Sequence, residues 1–253
     1  MSGAALHFTS ELRHDDAVER AFTLGEVPGI LWRPVDDPAP SALVLLGHPG
    51  GLDQMYPRVA GRARHYVARF GFAAATIELP GSGRRPRLPA ADRARADAAR
   101  TELRRSLSAG EAVDDATIDA LVLPLVDRSV PEWQETLDAL RSLPGLGCPV
   151  GLEGGVIAVG VRMAAVDSRV SAAVFFAGTA IPRATLDEAR RVTIPLQLLL
   201  QWDDEHNDRD RALALFDAFG SAEKTLHANV GGHTGVPAFE LAAAGRFFAR
   251  HLT

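Results

Sequence analysis

The 253-residue chain is expected to fold as α/β, with a mainly parallel sheet covered by helices on both faces. Three observations predict this. From residue 42 onward, short apolar runs that suit strands buried on both faces alternate with segments of helical periodicity. Glycine-rich loops follow several of these runs, at the strand ends where such sheets collect reacting groups. Hydrophobic residues make up 47% and charged residues 23%, a globular composition in a chain long enough for one large core.

After a polar leader, residues 20–33 (RAFTLGEVPGILWR) read as an edge hairpin turning at Val27-Pro28-Gly29, because β-branched and aromatic residues flank that breaker pair. The proline-rich DDPAP at 36–40 leads into a buried strand at 42–47 (ALVLLG). Val59, Ala63, Tyr66, Val67 and Phe70 fall at helical spacing in 57–70, and Gly71 ends that helix. The next strand, 72–79 (FAAATIEL), closes on Pro80-Gly81-Ser82-Gly83. The arginine- and alanine-rich stretch 84–130 is helical in propensity and holds no strand. It is expected as an inserted helical cap on a core made of 1–83 and 131–253. A helix at 131–143 then opens with proline at its first position and aligns Trp133, Leu137 and Leu140. Strands at 149–153, 170–177, 195–202 and 224–228 alternate with helices at 156–166, 183–191, 208–219 and 237–251.

Composition excludes several functions. A single cysteine, Cys148, cannot form an internal disulfide or a multi-thiolate zinc site. It also precedes the strand at 149–153 and so belongs at that strand's amino end, about 15 Å from any chemistry at the carboxyl end. The net charge of −5 leaves no basic patch beyond arginine clusters at 84–87 and 100–105, so nucleic acid is not an expected partner. No apolar run approaches the ~20 residues that span a bilayer, and the N-terminus lacks a basic start followed by an apolar stretch. The expectation is a soluble, cytoplasmic protein with no membrane partner, no metal and no cofactor. A small-molecule substrate is expected, and a homodimer is left open.

Four loops can carry chemistry. Gly47-His48-Pro49-Gly50-Gly51 follows a buried strand, and its backbone could stabilise an oxyanion or turn tightly for purely structural reasons. Gln201-Trp202-Asp203-Asp204-Glu205-His206 ends a later strand and could supply a carboxylate that orients a histidine. Val230-Gly231-Gly232-His233-Thr234 could present a general base. The fourth loop, 151–158, joins the central strand to a helix through several glycines, where a nucleophile elbow would stand.

With these motifs in order, the chain resembles α/β-hydrolases of the dienelactone-hydrolase-like kind. The likeness runs through GILW (29–32), LLGH-GG (45–51), ELPGSG (78–83), PEW–TLDAL (131–140), PVG (149–151), DSRVSAAVF (167–175), LLQWDDE (199–205) and RFFARHL (246–252). The resemblance implies Asp204 as the triad acid, His233 as the base, and the N–H groups of Gly50 and Ile157 as oxyanion donors. His48, Ser82 and Trp202 would then border the substrate.

The elbow departs from that family. Gly-x-Ser-x-Gly is replaced by Gly154-Gly155-Val156-Ile157-Ala158, with Val156 in the nucleophile slot, and no serine or cysteine lies between Pro149 and Asp167. A shifted frame, Gly151-Leu152-Glu153-Gly154-Gly155, would offer Glu153 as a carboxylate nucleophile if the strand ended early. The expected function is therefore an enzyme of hydrolase ancestry acting on a small ester-, lactone- or other carbonyl-containing metabolite. It would use a His–Asp dyad without a serine, for general-base hydrolysis, elimination or cyclisation. The alternatives are a catalytically inactive binding protein on the same scaffold and a Glu153-nucleophile hydrolase.

Overall fold

The computed structural model describes residues 5–36, 39–109, 111, 113–178 and 180–252. Met1 to Ala4 of the leader and Asp37-Pro38 of the proline-rich segment lie outside them. Nine strands form one sheet in the order β1-β2-β3-β5-β4-β6-β7-β8-β9. The first three, β1 (Leu6–Arg13), β2 (Ala17–Leu24) and β3 (Val27–Pro34), run antiparallel, and β3 pairs antiparallel with β5 (Ala73–Ile77). The remaining pairs, among β4 (Leu43–Gly47), β5, β6 (Val150–Gly154), β7 (Val170–Phe176), β8 (Leu196–Gln201) and β9 (Lys224–Asn229), are parallel. All these carboxyl ends therefore share one edge.

Strand periodicity sorts the core into two layers. Leu43, Leu45, Leu152, Phe175 and Leu198 face helices α3 (Asp115–Arg141), α4 (Ile157–Val166), α5 (Arg183–Ala189) and α6 (Arg209–Ala218). Val44, Leu46, Ala172, Val174 and Leu199 face α1 (Leu52–Phe70) and α7 (Phe239–His251). Helices thus cover both faces, as the alternating runs predict. No helix of the described residues is long and apolar enough to cross a membrane.

Three boundaries differ from the sequence reading. The β2–β3 turn sits at Gly25-Glu26, with Gly25 left-handed at φ 57°, while Pro28 lies inside β3 opposite Thr23. The glycine that tolerates positive φ sets the turn, not the proline. β1 lies in what was read as a leader, because its outward-facing edge offers little apolar alternation to detect. Helix α3 starts at the Asp114 cap, which accepts from Thr117 N–H at 2.8 Å, and runs straight through Pro131. The expected division at 130/131 therefore falls inside a helix. An interior proline costs about 3 kcal/mol, but buried Val122, Val126, Val130, Trp133 and Leu137 form one continuous packed face across it. The front half of α3 thus belongs to the main core, and α2 (Ala90–Ala109) packs against α3.

Candidate active site

β8 and β9 end side by side, and their loops are cross-linked. Trp202 N–H donates to Asn229 O at 2.7 Å, and Gln201 Nε2 donates to Gly232 O at 3.2 Å. These ties bring His233 to Asp204: Nδ1–H donates to Asp204 Oδ2 at 2.6 Å, while the other carboxylate oxygen accepts from His206 N–H at 2.9 Å. The Asp204 side chain is 1% exposed and that of His233 is 35% exposed. A buried acid thus fixes the imidazole tautomer and leaves Nε2 free to take a proton. The Phe176 ring meets the imidazole edge to face at 5.3 Å and helps hold its orientation.

His233 opens onto a cavity of about 720 Å³ that reaches down between α1 and α7, with Val156, Ile157, Phe176, Val236 and Leu241 among its walls. Val156 and Ile157 both line it. Ile157 also opens α4, so its N–H has no acceptor within the helix.

The turn from β6 into α4 bends at two glycines. Gly154 and Gly155 are left-handed, at φ 68° and 84°, whereas Val156 is extended at φ −73°, ψ 112°. Among the described residues every positive φ falls on glycine. A Cβ at Gly155 would stand 2.8 Å from Gly47 Cα and 3.1 Å from His48 N, so the bend is packed against the end of β4. The left-handed positions of this turn thus carry no side chain.

The Glu153 frame is corrected by the same geometry. β6 continues through Gly154, so Glu153 is a strand residue ahead of the bend, and its carboxylate turns to Arg62 of α1 at 3.6 Å. It lines the cavity from the sheet floor without an elbow's presentation. Cys148 precedes β6 at the amino end, and burial pushes its thiol up, away from the reactive thiolate form.

Four other expected contacts lie elsewhere. Pro49 reaches the cavity wall and Gly50 does not; proline has no N–H, so the loop offers no backbone donor at that point. His48 is buried, and its ring bridges backbone: Nδ1 lies 2.5 Å from Gly50 O and Nε2 lies 2.9 Å from Ile77 O. It braces the loop and does not border a substrate. Ser82 sits in a turn, its N–H donating to Leu79 O, and does not line the cavity. Trp202 is exposed, under the Arg209 guanidinium at 4.5 Å.

Burial outweighs the two carbonyl contacts and lowers the His48 pKa. Below the unfolded value of about 6.5, the unfolded chain therefore binds a proton that the native state refuses. This part of the stability is complete above that pH and is lost as pH falls towards the depressed native value. The fall in denaturation midpoint below about pH 6.5 is expected to be shallower in His48→Gln than in the wild type. Identical acid limbs in the two proteins would contradict this.

Arg62 was not singled out from sequence, although a signal exists: it lies three residues after Val59 and four before Tyr66, on the apolar face of α1. Glu240, buried in the α7 wall, was also missed; it accepts from His227 Nδ1 at 2.8 Å and Asn229 Nδ2 at 3.0 Å, tying α7 to β9.

No protein-family model and no curated protein matches this sequence. Among solved structures, the chain is similar to a cold-adapted esterase from an Arctic intertidal metagenomic library. The two share 27% identity over the full length of both chains, with a TM-score of 0.68. It also superposes on an acetyl xylan esterase from a Paenibacillus species with 14% identity, 98% of this chain and 89% of that one covered, and a TM-score of 0.65. An esterase of Pyrococcus furiosus matches at 9% identity, over 99% of this chain and 94% of that one, with a TM-score of 0.65. The last two likenesses concern the fold alone. The nine-stranded, mainly parallel sheet, its flanking helices and these full-length structural matches establish that the chain has the α/β-hydrolase fold.

Proposed function

We propose that this protein is an ester- or lactone-cleaving enzyme of hydrolase ancestry, in which the His233–Asp204 dyad activates water directly. The observation that carries the reading is the 2.6 Å bond from a one-third-exposed imidazole to a buried aspartate at the wall of a ligand-sized cavity. The structural likeness to esterases supports the same reaction class. His233 Nε2 takes a proton from water while the water oxygen bonds to the substrate carbonyl carbon, and the carbonyl π pair moves onto oxygen. Ile157 N–H faces the developing oxyanion. When the tetrahedral carbon collapses, the bond to the leaving oxygen breaks and the imidazolium returns its proton to that oxygen, so water and ester become acid and alcohol.

A binding protein without turnover is the second reading, favoured by the glycine-only bend. One experiment separates the two. The purified protein is assayed on short-chain p-nitrophenyl esters and aliphatic lactones, and treated in parallel with a fluorophosphonate that labels activated serines. Turnover without labelling is the expected result. Absence of turnover across the panel sinks the enzymatic reading, and stoichiometric labelling sinks the serine-free mechanism.

A further inference from the structure

Arg62 of α1 and Glu153 of β6 line the cavity and have no part in the dyad. The Glu153 side chain is nine-tenths buried, yet its carboxylate is poorly matched. Oε1 lies 3.6 Å from Arg62 Nη1, beyond hydrogen-bond range, and Oε2 has no hydrogen-bond partner. Arg62 commits Nη2 to Gly47 O at 2.8 Å, and the long ion pair is the contact the structure shows for Nη1. The neighbouring Tyr66 hydroxyl is buried without a hydrogen bond of good geometry, yet close enough to Glu153 for the carboxylate to act on it by charge and by a weak hydrogen bond. Burial first, and the Glu153 charge second, hold that phenol protonated, well above its usual range.

A buried carboxylate is costly unless both its charge and its lone pairs are answered. Arg62 answers the charge, and neither it nor Tyr66 gives Oε2 a hydrogen bond of good geometry. We propose that Glu153 and Arg62 form a recognition subsite for a neutral hydroxyl group of the substrate, which donates to Glu153 and accepts from Arg62 Nη1. Rotation about the last side-chain bond of Glu153 brings either oxygen to the ligand. Other groups fit less well. An ammonium would add a second cation to a pair that is already balanced, and a carboxylate would face Glu153. An alkyl end would leave the acceptor open. The proposal rests on the reading of this cavity as the substrate site, and it narrows the substrate class to esters or lactones that carry a hydroxyl group away from the reacting carbonyl.

The test compares ω-hydroxyacyl with ω-methylacyl p-nitrophenyl esters of graded chain length in turnover. The matching ω-hydroxy and ω-methyl methyl ketones, which cannot be hydrolysed, are compared in calorimetric binding. At the best length the wild type is expected to favour the hydroxy compound about tenfold or more in both assays, the size of one hydrogen bond to a charged acceptor. Glu153→Gln, which keeps an uncharged acceptor, is expected to cut the preference to about threefold, and Glu153→Leu to abolish it. Equal binding of the two ketones by the wild type, a stronger preference for an ω-ammonium ketone, or a preference that survives both variants overturns the subsite. Ketone preference without any ester turnover supports the subsite and sinks the hydrolytic reading. Ester turnover without ketone preference does the reverse.

Discussion

Replacing His233 by alanine is expected to lower turnover of small esters by about 10² to 10⁴-fold, the contribution of one positioned general base. The large effect follows from the proposed mechanism, in which His233 itself takes the proton of the attacking water. Asp204→Asn should act in the same direction, because an amide cannot fix the Nδ1–H tautomer or stabilise the imidazolium as a carboxylate does. The Asp204 carboxylate left behind in His233→Ala keeps the His206 N–H as a partner, so the fold should persist at a cost of about 1–3 kcal/mol. Measurement of kcat/KM for the wild type and both variants, alongside their denaturation midpoints, separates lost chemistry from lost structure. Turnover unchanged by His233→Ala refutes the mechanism.

Gly155→Ala is expected to destabilise the protein by about 2–5 kcal/mol, which is large for a single added methyl group. Two effects add: a left-handed backbone costs a residue with a Cβ about 1–2 kcal/mol, and overpacking a tight contact costs about 1–3 kcal/mol. At φ 84° the new Cβ would meet Gly47 Cα at 2.8 Å, and backbone cannot swing aside as a side chain can. Because Gly155 and Gly47 both line the cavity, relief of the clash should also displace the wall beside His233. Chemical denaturation measures the first effect and ester KM the second. A wild-type midpoint would show that the bend is not packed as described. The same clash implies that a serine at 155 would not restore an elbow nucleophile without local rebuilding.

The alternation of strands and helices was legible because it rests on local periodicity. Leu43, Leu45 and their neighbours need burial on both faces, and any fold that supplies it makes them a central strand. Asp204 and His233 were legible through loop chemistry and family likeness, and the structure brings them to hydrogen-bond distance. Other features depend on partners remote in sequence. β1 is a strand because β2 pairs with it, and α3 survives Pro131 because its buried face joins the core beside α4. His48 looked like a site residue beside its glycines, but the carbonyl of Ile77, 29 positions away, claims its ring.

Residue types and spacings are properties of the string, and from them and the family likeness came the layered α/β architecture, the late acid and histidine loops, and the lack of serine and cysteine between Pro149 and Asp167. Only the tertiary structure decided that the left-handed bend falls on Gly154 and Gly155 and not on Val156, since packing against Gly47 selects that backbone path. It also decided that Glu153 faces Arg62 across a cavity between α1 and α7. Side-chain pairing across 91 positions follows from how parallel crossovers stack helices on a sheet, a global geometry that local pattern does not contain.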